Sequence, residues 1–134
     1  MRVGVQVSQK RIVVIDDDRD FLEYTQIILR SAGYQVETAI GAPEGLALIR
    51  SIIPDLVIVD VMMSYTLEGI ELAREITQDS ALTHIPVLVV TSIARTMDEV
   101  GFDETTARAI KGFLPKPVLP DELLTHVSSF LEGR

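Results

Sequence analysis

Apolar residues in this chain fall into short runs that alternate with stretches of helical spacing. Ile12 to Ile15 and Leu56 to Val59 are continuous, largely β-branched runs of strand length, bounded by charged or turn-forming residues. Such runs predict strands buried on both faces, as in a parallel sheet. Tyr34–Thr38, Val87–Thr91 and the pair Phe113–Leu114 predict three further strands. Between them the spacing changes to that of helices. The first places Phe21, Tyr24 or Thr25, and Ile28 on one face, and Gly33 suits the left-handed position that ends it. The second begins near Ala42 with Pro43 at its first position, carries Leu46, Ile49 and Ile53, and is broken by Pro54. A third covers Glu68 to Gln78 with Leu72, Ala73 and Ile76 inward, and a last one starts at Pro120 with Leu123, Val127, Phe130 and Leu131. Between Ser92 and Lys111 the spacing of Met97, Val100 and Phe102 is imperfect and Gly101 interrupts it, which predicts a weak fourth helix in the second half of this stretch and some mobility. Five strands alternating with five helices predict an α/β fold, a parallel sheet covered on both faces.

Composition narrows the picture. At 134 residues and 47% hydrophobic, the chain suits one domain with a proper core. We expect residues 1–10 to be a flexible extension and 11–132 the domain. The absence of cysteine excludes disulfides, thiolate metal sites and thiol nucleophiles. A net charge of −8, with the basic residues scattered, argues against contact with nucleic acid or an anionic membrane through this domain. With neither a signal-like segment nor a membrane-length apolar run, a cytoplasmic location is expected.

The candidate chemistry lies at the strand ends. Right-handed crossovers put every C-terminal strand end on the same edge of a parallel sheet, where ligands bind. Strand one delivers Asp16 and Asp17, strand three Asp60, strand four Thr91 and strand five Lys116. Crowded carboxylates repel one another unless a cation sits among them. Three carboxylates suit Mg²⁺, one of them can attack phosphorus, and a hydroxyl and an ammonium can hold phosphoryl oxygens. The set reads as a phosphoryl-transfer site. Asp18 reads as the cap of the first helix and Asp20 as a first-turn acid favouring its dipole. His84 and His126 show no pairing that suggests a metal or catalytic role.

Four motifs in order, Val-Val-Ile-Asp-Asp-Asp, Leu-Val-Ile-Val-Asp-Val-Met-Met, Val-Leu-Val-Val-Thr-Ser and Lys-Pro, resemble the receiver domain of two-component response regulators, of the chemotaxis-regulator type. The resemblance spans about Arg11 to Glu132. It implies a flavodoxin-like, doubly wound five-stranded sheet in the order 2-1-3-4-5. It also implies that Asp60 accepts phosphate from a sensor histidine kinase or histidine phosphotransfer protein. Asp16, Asp17, Asp60 and the backbone carbonyl of Met62 would hold Mg²⁺. Thr91 and Lys116 would contact the phosphoryl group, Thr91 and Phe113 would switch conformation with it, and the Lys116–Pro117 bond is a candidate for the cis form. The output would be an altered surface for a downstream protein or a covalently linked domain, with no turnover of a substrate. Ser64 stands where the family usually has proline, and Gly69 comes one position late, so the loop after Met63 is lengthened. That departure sustains an alternative, a receiver-like interaction module independent of phosphorylation. A phosphohydrolase of the haloacid-dehalogenase type fits poorly, because Asp20 stands where that motif needs threonine or valine.

Overall fold

A computed structural model describes residues 10–60, 68–91, 104, 108 and 110–132. Its order is β1 (Arg11–Ile15), α1 (Arg19–Ser31), β2 (Gln35–Ala39), α2 (Ala42–Ile52), β3 (Leu56–Val59), α3 (Glu68–Gln78), β4 (Val87–Thr91), β5 (Ile110–Pro115) and α4 (Pro120–Leu131). All five strands are parallel and lie in the order β2-β1-β3-β4-β5.

Alternation along each strand divides the core into two layers. Val13, Ile15, Val57, Val59, Val87 and Val89 face α2 and α3, packing on Ile49, Leu72, Ala73 and Ile76. Ile12, Val14, Leu56, Ile58, Leu88 and Val90 face the other way, onto Leu22 and Leu29 of α1 and Leu123 and Val127 of α4. Covering both faces leaves the sheet's ends as the place where polar groups can gather.

Several details differ from the sequence pattern. Among the described residues there are four helices, not five: the expected fourth falls within 92–109, where only Glu104 and Arg108 are described. The inner face of α1 is Leu22, Thr25 and Leu29, whereas Phe21 and Ile28 are half-buried on its flank and Tyr24 is 40% exposed. Helix α2 opens with Ala42, so Pro43 is its second residue, and it stops at Ile52. Ile53 then turns left-handed at φ 49° and is exposed, because Pro54 cannot extend the helix. β2 lies one residue later than expected. The register between β4 and β5 slips by one, Val87 pairing with Ile110 but Leu88 with Gly112, which leaves Lys111 as an extra residue. Residues 1–9 and the lengthened loop 61–67 lie outside the described residues. No described helix is long and apolar enough to cross a membrane.

Candidate functional site

The acid cluster is built by backbone ladders that run one residue past the strands. The Asp16 N–H donates to the Ala39 carbonyl at 3.2 Å, and the Asp60 N–H donates to the Ile15 carbonyl at 3.1 Å. Asp16 and Asp60 are thereby held side by side at the carboxyl ends of β1 and β3, 1% and 5% exposed. Asp17 follows on the exposed side. Carboxylate oxygens of Asp16, Asp17 and Asp60 all lie within 4.8 Å of one another.

Lys116 reaches this cluster from the segment after β5. Its Nζ donates to Asp16 Oδ2 at 2.8 Å and to Asp60 Oδ2 at 3.3 Å. The Asp18 N–H donates to Asp16 Oδ1 at 3.0 Å. Burial pushes the Asp16 carboxyl up to about 6, with the Asp60 charge adding to the rise; the hydrogen bonds from Lys116 and Asp18 and the Lys116 charge oppose it. For Lys116, burial works against the charged form, but the hydrogen bond and charge of Asp16, joined by Asp60, outweigh it and raise its pKa. The donor set fits a hard divalent cation. Carboxylate oxygens this close together could share one such ion.

Of the other residues singled out from the sequence, Thr91 closes β4 opposite Pro115, the residue before Lys116, and so stands on the same sheet edge. Phe113 is half-buried and packs on the core layer of α2 and α3. Met62 lies outside the described residues. Asp18 caps α1, its side chain accepting from the Asp20 and Phe21 N–H groups at 3.0 and 3.3 Å. The Lys116–Pro117 bond is cis. His84 is exposed, whereas His126 is half-buried with its ring edge-on to Phe130. A contact that no sequence pattern announced is the ring of Phe21, whose centroid lies 4.2 Å from the Lys116 ammonium.

Comparison with known proteins agrees with this geometry. The response regulator receiver domain family matches residues 12–128. Protein PilH of Pseudomonas aeruginosa is 32% identical over 123 residues, covering 92% of this chain and 98% of PilH. The DNA-binding dual master transcriptional regulator RpaA of Synechocystis is 32% identical over 122 residues, 90% of this chain. The chain spans only about half of RpaA, 48% of its length, as it does of several other curated relatives. Among solved structures, a CheY-like receiver domain protein from Methanospirillum hungatei superposes with a TM-score of 0.81 at 31% identity, covering 94% of this chain and 96% of that one. The chemotaxis response regulator CheY4 of Vibrio cholerae gives 0.79 at 26% identity, covering 92% and 100%. With its fold, its strand-end acids and its sequence in agreement, the chain belongs to the receiver domain family of two-component response regulators.

Proposed function

We propose that residues 11–132 act as a phosphorylation-switched module in which Asp60 accepts a phosphoryl group from a histidine kinase or histidine phosphotransfer protein. The observation that carries this reading is the placement of Asp60: a buried carboxylate at the end of β3, beside two further carboxylates and 3.3 Å from an ammonium. A carboxylate oxygen of Asp60 attacks phosphorus as the P–N bond of the phosphohistidine breaks. The bonding pair leaves with the imidazole, and the product is an aspartyl phosphate. Lys116, already at Asp60, neutralises charge on the phosphoryl oxygens as it builds up. Thr91, at the end of β4, supplies a hydroxyl for another of them. Asp16 and Asp17, with Asp60, would hold Mg²⁺, and the Met62 carbonyl would complete its protein ligands. When bound, the ion offsets the charge of the incoming phosphate.

The downstream step is read by a separate protein or by a covalently linked output domain, from the surface around β5 that Thr91 and Phe113 border. We place the domain in the cytoplasm, without contact to nucleic acid or membrane of its own. Intact-mass measurement after incubation with acetyl phosphate and Mg²⁺ tests the assignment. One phosphoryl adduct on the wild type and none on Asp60→Asn is expected. A wild type that stays unmodified, or an adduct that persists in Asp60→Asn, overturns it.

A further inference from the structure

Lys116 is the one cation in the described site, and its hydrogen-bond partners must change when Asp60 becomes an acyl phosphate. Two of its contacts are the oxygens of Asp16 and Asp60. The third is not a hydrogen-bond acceptor but the ring of Phe21, 4.2 Å away at its centroid. That distance is well inside the ~6 Å range in which a cation is attracted to an aromatic face. The attraction is little screened, because the Lys116 side chain is only 17% exposed.

The contact is built into helix α1 rather than left to a mobile side chain. Phe21 lies in the first turn, its own N–H held by the Asp18 cap at 3.3 Å. One turn later the Tyr24 hydroxyl donates to the Val118 carbonyl at 2.8 Å. Helix α1 thus grips the segment after β5 at two points, the ammonium of Lys116 and the backbone two residues beyond it. Phe21, Tyr24 and Val118 line one largely apolar groove together with Lys116, and Asp18 and Asp20 border it.

We propose that Phe21 is a positioning residue for Lys116: its ring face retains the ammonium at the acid cluster while the oxygens that Lys116 serves are exchanged. A ring face suits this task because it attracts charge without fixing the direction of any N–H. Nζ can therefore pivot from the Asp60 carboxylate to a phosphoryl oxygen and stay in the pocket. The Tyr24 contact anchors the backbone, which confines the movement to the Lys116 side chain. The inference rests on the phosphoacceptor reading above and adds the residue that governs its lysine.

Fluorination of the Phe21 ring separates this role from simple packing, because it drains the negative ring face with little change of shape. Mono-, di- and trifluorophenylalanine at position 21, together with Phe21→Leu and Phe21→Tyr, would be compared for the rate of phosphoryl uptake from acetyl phosphate at saturating Mg²⁺. The rate should fall stepwise with fluorine number, to about one-fifth in the trifluoro protein and in Phe21→Leu, and Phe21→Tyr should retain it. Adduct formation at a rate indifferent to fluorination overturns the role of Phe21 and leaves the phosphoacceptor reading standing. A wild type that forms no adduct overturns that reading, and this inference with it. In the resting protein, the Lys116 ε-methylene protons should show an upfield ring-current shift that disappears in Phe21→Leu. Its absence from the wild type would also overturn the proposal.

Discussion

Asp16 is held between opposed demands, since burial favours its neutral form while Lys116 and the Asp18 N–H favour its charge. Tyr34 shows the same physics away from the site, with every influence acting in one direction. It is 7% exposed and its hydroxyl donates to Glu132 Oε2 at 3.0 Å. Burial, then the hydrogen bond and charge of Glu132, push its pKa up to about 12. Below about pH 9 the tyrosine is protonated in both folded and unfolded chains and adds no pH dependence. As pH rises from about 9 towards 12 the unfolded chain releases this proton before the folded one does, so stability falls. Urea unfolding should therefore show the wild type losing about 1 kcal/mol more than Tyr34→Phe between pH 10 and 11. Equal losses in the two proteins would show that the Tyr34 proton is not held. At this scale the acids and Lys116 could be read from the sequence, because carboxylates ending apolar strands form a pattern. Phe21 could not, since nothing local marks a helix side chain that meets a lysine far along the chain.

At the scale of elements, Gly45 in α2 shows packing overruling local preference. Alanine at a helix interior gains up to about 1 kcal/mol over glycine from propensity alone. A Cβ on Gly45, however, would lie 2.5, 2.8 and 3.0 Å from the Cδ1, Cγ1 and Cγ2 atoms of Ile15. Ile15 is fully buried and precedes Asp16, so it cannot move aside without disturbing β1 at the acid cluster. Gly45→Ala should therefore destabilise the protein by about 2 kcal/mol in urea titration, against its propensity. A neutral or stabilising effect would show that α2 can lift off the sheet freely. The bounds of α3 and β4 followed the sequence pattern because proline or acidic breakers flank clean periodic runs. β2 began a residue late because the Tyr34 N–H is used to close α1, donating to the Leu29 carbonyl at 3.2 Å while the Gly33 N–H takes Arg30 at 3.0 Å. Tyr34 thus belongs to the cap, with Gly33 left-handed at φ 99°. The inner stripe of α1 is legible only at Thr25 for a related reason: Phe21, Tyr24 and Ile28 on its flank are also large and apolar, and only the tertiary fold decides that Phe21 and Tyr24 serve the segment after β5.

On the scale of the whole molecule, the parallel topology converts scattered residues into one site, which is why fold and site became legible together. Asp16 and Asp17 follow β1, Asp60 follows β3 and Lys116 follows β5, so a ligand at this edge joins three strands that separate on unfolding. Binding there must stabilise the entire cooperative unit, because the unfolded chain holds no such cluster. A divalent cation meets opposition from Lys116, whose ammonium already occupies oxygens of Asp16 and Asp60. Three urea titrations over a range of Mg²⁺ follow from this balance. The wild type should gain about 2.7 kcal/mol when Mg²⁺ is a hundredfold above its dissociation constant. Asp17→Asn removes a proposed ligand and leaves the resident lysine, so its stability should respond only at higher Mg²⁺. Lys116→Met removes the competing cation, so it should start less stable without Mg²⁺ and respond at lower Mg²⁺ than the wild type. The order of the three responses is the decisive reading, because nonspecific screening by Mg²⁺ would move all three proteins alike. A wild type indifferent to Mg²⁺, or the same response in all three, would remove the metal from the site and leave Lys116 as the cation among its described residues.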